Sequence, residues 1–354
     1  MEIRKHLHIV RRQKKVDWTQ FLCGIPARDY IFQKEPYEEQ ITQASAYLKE
    51  ADHVLIGAGA GLSAAAGLTY SGKRFQENFS DFIKKYGLQD MYSAGFYPFQ
   101  TEEERWGYWC RHSYVNRIKP PALLLYQQLF DLVKEKDYFV LTTNVDHQFQ
   151  KAGFLEERIF ATQGDYGRIQ CMKDVIPGPM MPFPCLPRLV QAEKDCKIPS
   201  YMVPKCPVCG GPMAMNLRCD QYFVEDEQWN EAAENYGKYL KQLKKGKAVL
   251  LELGVGFNTP SIIRFPFEKM VREHKNTELI RLNRDEAVIP ESFGDRGIGI
   301  NRDLCDSLRD ITIEIKRYPQ IICRTADIKP NRNQSAQWEK SAEVLLAGQN
   351  RTGK

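Results

Sequence analysis

A parallel α/β sheet with helices on both faces, interrupted by a small inserted cysteine-bearing module, is the architecture this sequence predicts. Three observations lead there. Short apolar runs of strand length alternate with amphipathic helical stretches. A glycine-rich turn, Gly57-Ala-Gly-Ala-Gly61, follows the first buried run. Between residues 166 and 246 the rhythm breaks: that stretch holds six of the ten cysteines, and 175–212 is dense in proline.

Taken in order, residues 37–50 place Ile41, Ala44 and Leu48 at helical spacing. His53-Val-Leu-Ile56 reads as a short buried strand, and a helix opens near Ser63. Further strands are expected at Asp137-Tyr-Phe-Val-Leu-Thr142, Arg158-Ile-Phe-Ala161 and Lys247-Ala-Val-Leu-Leu-Glu-Leu253. Two more are expected at Thr277-Glu-Leu-Ile-Arg-Leu282 and Ile311-Thr-Ile-Glu-Ile-Lys316. Helices fall between several of them, at 120–134 and 260–273. On this reading 1–45 is a basic helical segment, 46–165 with 247–320 the sheet domain, and 166–246 the insertion. Residues 321–354 lose apolar periodicity and read as a flexible tail. Neither an internal repeat nor a low-complexity tract is present.

The 354 residues leave room for two or three domains. With 43% hydrophobic and 27% charged residues, disordered and fibrous classes are excluded. The net charge of +5 resides in residues 1–15, where Arg4, Lys5, Arg11, Arg12, Lys14 and Lys15 oppose Glu2 alone. The balanced remainder argues against a nucleic-acid groove, and the basic segment reads as a solvated arm able to dock an acidic partner. No run reaches the roughly 18 apolar residues of a membrane span, and the first residues lack the apolar core of a secretory signal. Ile3, Leu7 and Val10 share a helical face among arginines, as in a mitochondrial transit peptide, but the first 40 residues lack serine. A cytoplasmic protein with reduced or metal-bound thiols is the expectation.

Four strand ends carry chemistry. Gly59-Ala-Gly-Leu-Ser-Ala64 follows a strand and opens a helix, as a dinucleotide-binding turn does: glycines admit a pyrophosphate to the backbone and free amides attract it. Alone, the same turn only packs helix on strand. No acidic strand end lies about 20 residues on, which counts against a hydride-transferring enzyme. Thr142-Thr-Asn-Val-Asp146 ends another strand, on the edge where open α/β sheets bind ligands. Asn144 can bond a ribose or carboxamide, and Asp146 can stabilise positive charge; read singly, they cap a helix. Gly254-Val-Gly-Phe-Asn-Thr-Pro260 repeats the strand–glycine–helix arrangement, and Leu282-Asn283 ends the next strand.

Together these segments resemble the sirtuin family. The family's GAG(I/L)S turn matches Gly59-Ala-Gly-Leu-Ser63, and its TQN(I/V)D with a downstream AG matches Thr142-Thr-Asn-Val-Asp146 and Ala152-Gly153. Its CxxCGG, LRP and VxFxE segments resemble Cys206-Pro-Val-Cys-Gly-Gly211, Leu217-Arg-Cys-Asp220 and Phe223-Val-Glu-Asp226. Its GTS segment resembles Gly254-Val-Gly256. The resemblance spans about residues 45–315 in the family's order. It implies that Gly59, Ala60, Gly61, Ser63, Thr143, Asn144, Asp146, Gly254, Gly256, Asn258, Asn283 and Asp303 line an NAD site.

Two departures redirect the function. The family's PDFR is replaced by Thr69-Tyr-Ser-Gly72, with Arg74-Phe75 close by to supply a cation and a ring. The family's catalytic histidine is Gln163, followed by Gly164. In deacylation that histidine removes a proton from the ribose, which an amide cannot do near neutral pH. The chain therefore resembles the macrodomain-linked branch of microbial sirtuins, which act as protein ADP-ribosyltransferases. That resemblance implies a lipoylated carrier similar to the glycine-cleavage H protein as acceptor, and a macrodomain hydrolase as partner. Asn144 and Asp146 would hold the carboxamide and the developing charge, and Gln163 the ribose. Arg218, with Glu225 and Asp226, would receive the acceptor. An NAD-dependent deacylase and a non-catalytic NAD or ADP-ribose sensor are the alternatives.

Cys206 and Cys209, followed by two glycines, form half of a zinc knuckle. Cys171 and Asp174 are the expected partners, with Cys185 or Cys196 as alternatives for the fourth ligand. Bound zinc would be structural, and a metal-free module is the other reading. Cys23, Cys110, Cys305 and Cys323 read as small core residues. Trp106, Tyr108 and Trp109, near Arg105 and Arg111, read as core and not as a stacking surface. His147 reads as a solvent-facing or core histidine on a helix in preference to a substitute base.

Overall fold

The computed structural model describes residues 25–172, 181–183 and 185–317. The basic stretch 1–15, Cys23, Asp174, Cys323 and the tail 321–354 lie outside them. Strand β1 (Tyr30–Ile31) precedes helix α1 (Tyr37–Glu50), β2 (His53–Ala58) and α2 (Ala60–Ala65). Helices α3 (Lys73–Tyr86), α4 (Met91–Ala94) and α5 (Glu102–Ser113) follow, then a π-turn over Tyr114–Ile118 and α6 (Leu124–Val133). The chain continues through β3 (Asp137–Thr142), α7 (Gln148–Lys151), β4 (Ile159–Ala161), β5 (Gly164–Cys171) and β6 (Met181–Pro182). Next come α8 (Leu186–Ala192), β7 (Met213–Leu217), α9 (Glu227–Leu243), β8 (Ala248–Leu253) and α10 (Arg264–Glu273). Last are β9 (Thr277–Leu282), β10 (Ile289–Pro290), β11 (Gly297–Ile300) and α11 (Leu304–Arg317).

Six parallel strands form one sheet in the order β11-β9-β8-β2-β3-β4. From β2 the chain builds outward through β3 and β4, then returns to β8 on the other side. Strand order therefore reverses between β2 and β8, the place where sheets of this kind open a ligand crevice at their carboxyl ends. Alternate residues of each strand serve opposite faces. Val54, Ile56, Val140, Leu251 and Ile280 pack with α1, α6 and α11, whereas Leu55, Phe139, Leu250 and Leu279 pack with α9 and α10. Gly57 must be glycine: a Cβ there would lie 2.5 Å from Ile263 and 2.6 Å from Phe267.

One expectation is corrected, and one strand is new. The strand expected at 311–316 is the end of α11, whose Leu304, Leu308 and Ile311 fall on one helical face and pack on the sheet, while Ile313 is exposed. The outer strand is β11, in which two glycines mask the strand pattern. Gly299 is forced by packing, since a Cβ would meet the Ala287 carbonyl at 2.0 Å.

The antiparallel sheet β6-β5-β7 carries the cysteine-rich stretch. Its core includes Trp106 and Cys110 of α5 beside Ile169, Leu186, Met213 and Met215, so residues well before 166 build it too. Phe75, Phe79, Phe82 and Tyr108 form an adjoining aromatic core. Helix α9, inside the 166–246 span, instead lies on the large sheet, with Tyr239 and Leu243 buried against it. Among the described residues, no helix is long and apolar enough to cross a membrane.

A buried ionic network crosses the sheet. Arg281 donates to both Glu252 oxygens, at 2.7 and 2.9 Å, and to Glu268 at 2.9 Å. Arg264 donates to Glu252 at 3.3 Å, and Tyr30 donates to Glu268 at 2.5 Å. Two cations face two anions with no side-chain exposure, so removing one partner strands the others. Glu252→Ala is expected to lower unfolding free energy by about 3–5 kcal/mol in urea denaturation. Lys269→Ala, which removes an exposed pair with Glu273 on α10, should leave the midpoint nearly unchanged.

Candidate functional site

Two glycine turns interlock where the strand order reverses. Gly59 N–H donates to the Leu253 carbonyl and Gly61 N–H to the Gly254 carbonyl, each at 3.0 Å. A Cβ on Gly59 would lie 2.7 Å from the Gly254 oxygen, and one on Gly61 would lie 2.7 Å from its Cα. Gly254 itself has φ 61°, in the left-handed region. Ala60 is exposed at the first position of α2, whose N-cap Gly59 offers no side-chain oxygen.

The neighbouring strand end extends this edge. Asn283 donates through Nδ2 to the Val255 carbonyl at 3.0 Å, while its Oδ1 accepts from Asp285 and Glu286 N–H. Glu286 then accepts from Phe257 N–H at 3.0 Å, beside Gly256. Arg264 donates to the carbonyls of Val255 and Glu286, at 2.9 and 2.7 Å. Glu286 and Arg264, which motif reading missed, therefore brace the 254–260 turn, on which Asn258 is exposed.

At the end of β3 a chain of hydrogen bonds has a fixed direction. Ser63 Oγ donates to Asp146 at 2.5 Å, the direction an ionised carboxylate there imposes. Tyr126 must then donate to Ser63, 2.8 Å away, and accept from Asn144 Nδ2 at 3.3 Å. Asn144 Nδ2 also donates to the Gly59 carbonyl at 3.0 Å, which ties this turn to the glycine turn. Thr143 contributes its backbone N–H, to Ala58. Asp146 is buried, and burial raises its pKa against the opposing hydrogen bonds from Ser63 and Gln148. Burial, with Asp146 nearby, pushes the Tyr126 phenol well above its ordinary value. Tyr126 carries no local motif: only the fold brings it here.

The turn after β4 meets this centre from the other side. Gln163 is half-buried, and its carbonyl accepts from Arg218 N–H at 3.0 Å. Gly164 has φ 97°, and a Cβ on it would sit 2.0 Å from the Asn216 oxygen. Arg218 donates to the Thr162 carbonyl, pairs with Glu225, and lies 4.3 Å over Phe223 and 5.3 Å over Trp229. Its guanidinium thus clamps the Gln163 turn to the 223–229 segment. Tyr166 N–H donates to the Val145 carbonyl at 3.0 Å, joining β5 to the Asn144–Asp146 turn.

Other candidates fall elsewhere. Arg74 donates to the Thr69 and Val115 carbonyls and to Asn116, at 2.7–2.9 Å. Phe75 lies in the aromatic core with the fully buried Tyr108, and Trp106 is fully buried in the adjoining core of the antiparallel sheet. Asp303 caps α11, accepting from Cys305 N–H at 2.8 Å.

In the module, the Sγ atoms of Cys171, Cys206 and Cys209 lie within 4.8 Å of one another. The 3.6 Å between Cys171 and Cys209 is close to the sulfur–sulfur edge of about 3.8 Å that tetrahedral thiolates at ~2.3 Å from zinc would give. Hydrogen bonds from the Cys209 and Val208 backbone bring the Cys206 thiol down to about 7, towards the thiolate a metal requires. Among the described residues neither alternative fourth ligand joins the group: Cys196 is buried in the aromatic core, and Cys185 stands at the start of α8.

Fold and site together define a dinucleotide-cleft α/β protein with a thiolate module beside the cleft. No protein-family model matches the chain. A relative named "Protein ADP-ribosyltransferase", from Staphylococcus aureus strain Mu50, is 35% identical over 258 residues, covering 73% of this chain and 82% of that protein. A second, from Fusarium oxysporum f. sp. cubense, is named "Probable bifunctional ADP-ribose hydrolase/ADP-ribosyltransferase". It is 35% identical over 272 residues, but this chain spans only 45% of its length. Among solved structures, a Sir2 homologue–NAD complex matches with TM-score 0.54 and 15% identity, covering 82% of this chain and 98% of that one. Sir2Tm bound to a propionylated peptide gives 0.50 and 16%, covering 77% and 98%. These two likenesses concern the fold. The chain belongs to the protein ADP-ribosyltransferase family of the Staphylococcus aureus relative and has the fold of the Sir2 structures.

The thiolate cluster predicts about one zinc per chain in elemental analysis of protein purified without chelator. Cys206→Ser should reduce that content and lower the melting temperature, because metal binding and folding of such a module are linked.

Proposed function

We propose that the chain transfers ADP-ribose from NAD to a nucleophile on a protein acceptor and releases nicotinamide. The observation that carries this reading is the directional chain Asn144–Tyr126–Ser63–Asp146, set against the interlocked glycine turns. NAD would lie along the Gly59–Ser63 and Gly254–Asn258 turns, its adenosine end towards Asn283. Asn144 and Asp146 would face the nicotinamide and its ribose. A carboxylate held without a full counter-ion in a buried site favours positive charge nearby. Breaking the glycosidic bond creates such charge at C1′, and Asp146 is placed to stabilise it. Gln163 would hold the ribose by donating and accepting hydrogen bonds, with no proton to remove. Zinc held by Cys171, Cys206 and Cys209 would supply structure only.

The names of the relatives support ADP-ribosyl transfer, and one name pairs it with an ADP-ribose hydrolase. By family resemblance the acceptor is a lipoylated carrier similar to the glycine-cleavage H protein, and a macrodomain hydrolase reverses the modification. Gln163 favours this reading over deacylation, whose proton removal is typically worth 10²–10⁴-fold.

The test is incubation with isotope-labelled NAD and a cell extract, followed by mass spectrometry. A labelled protein acceptor is the expected outcome. O-acyl-ADP-ribose from an acyl-lysine peptide would establish the deacylase, and a thermal shift without turnover would establish a sensor. Asn144→Ala should abolish nicotinamide release while the melting curve stays cooperative. Gln163→Ala should weaken transfer by loosening the ribose. Gln163→His should not create an efficient deacylase, because Thr69–Gly72 stands where the family has PDFR; robust acyl-lysine turnover in that variant would contradict this reading.

A further inference from the structure

We propose that His147 is the general base that takes the proton from the acceptor nucleophile. This rests on the transferase reading above and adds the proton acceptor that Gln163 cannot be.

His147 is not on a helix, as the sequence suggests, but in the turn before α7, with φ 65°. A left-handed residue other than glycine is held there at a cost, and it persists where its surroundings fix it. Here the fixing contact is Nδ1, 2.8 Å from Asp165 Oδ2. The other Asp165 oxygen accepts from Arg117 Nε at 2.5 Å and from Gly167 N–H at 2.6 Å. Burial works to raise the Asp165 pKa, but the bond from His147 and the charge of Arg117 hold it below the usual carboxylate range. An ionised Asp165 can only accept, so Nδ1 is the donor, and in the neutral imidazole tautomer this selects, Nε2 carries the lone pair. Among the described residues, no side chain or backbone group bonds Nε2.

The imidazole, 28% exposed, borders a cavity of about 530 Å³ between β4, the start of β5 and α9. A narrow recess lined by Asn144, Asp146, His147, Gly164 and Asp165 adjoins it, and the two share His147, Gly164 and Asp165. The base therefore stands between a space large enough for an acceptor side chain and the residues assigned to the reacting ribose. Glu156, Glu157, Asp226 and Glu231 border the cavity and outnumber Arg168, which pairs with Asp226, so the lining disfavours a carboxylate acceptor. The acceptor class that fits is a hydroxyl or nitrogen nucleophile bearing a proton.

The step balances. The C1′–nicotinamide electron pair leaves with nicotinamide, which departs neutral. The acceptor oxygen or nitrogen bonds to C1′, and its proton passes to His147 Nε2 and on to water.

Methanol serves as the acceptor probe, with NAD and the full chain, and methyl-ADP-ribose is quantified. His147→Gly removes the base while relaxing the left-handed turn, so the fold should survive. Product formation should fall at least about 10²-fold, with the NAD-induced thermal shift retained and partial rescue by added imidazole. Asp165→Asn should fall in the same direction. Methyl-ADP-ribose formed at the native rate by His147→Gly, or a loss that imidazole leaves unrelieved, would overturn this proposal alone. Absence of nicotinamide release from the native chain would overturn the transferase reading and this inference with it.

Discussion

Backbone against backbone at the turns after β2 and β8 is the constraint on which the cleft depends. The sheet reverses its strand order there, so two strand ends must diverge around whatever binds between them. They can start close together only because no Cβ intervenes at Gly59 or Gly61, and because Gly254 adopts a left-handed φ. From that junction the remaining polar groups take their places. The Gly59 carbonyl receives Asn144, and the Val255 carbonyl receives Asn283 and Arg264. Substituting any of these glycines would displace several side chains at once, none of them adjacent in sequence.

Charge is handled in two contrasting ways a few strands apart. Beneath the 254–260 turn, Arg264 and Arg281 are matched by Glu252 and Glu268, which makes a rigid and electrically balanced support. At the end of β3, Asp146 receives a hydroxyl and a backbone N–H but no ion-pair partner among the described residues, and burial raises its pKa. A support gains from neutrality. A site that must welcome a developing cation gains from keeping one carboxylate short of a partner.

How much of this was legible in the sequence follows from where each constraint resides. Glycine turns and strand-end amides are set by local backbone geometry, so they leave short motifs, and those motifs located four strand ends on one edge. Tyr126, Glu286 and Arg264 serve the same edge through tertiary contacts, and nothing in their neighbourhoods marks them. The segment 311–316 misleads because Ile311, Ile313 and Ile315 alternate as in a strand. Yet Leu304, Leu308 and Ile311 also satisfy a helix, and packing on the sheet selects that period. Strand β11 is hidden for the opposite reason: Gly297 and Gly299 lower its strand propensity, while close approach to Ile289 and Ala287 demands them.

The replacement of a histidine by Gln163 has consequences beyond the loss of one base. A deacylase forms its new bond to an acyl oxygen, then needs a proton taken from the ribose itself. A transferase meets its nucleophile from outside, so any base must face the acceptor. Gln163 sits on a segment that Arg218 clamps to Phe223 and Trp229, whereas His147 borders the cavity and is oriented by Asp165. On the proposed function, exchanging which position carries the imidazole would move proton-accepting capacity from the cofactor side of the centre to the acceptor side. The hydrogen bonds that Asp165 accepts from Arg117 and Gly167 through one oxygen fix its carboxylate, so that the other oxygen meets the imidazole in a set orientation.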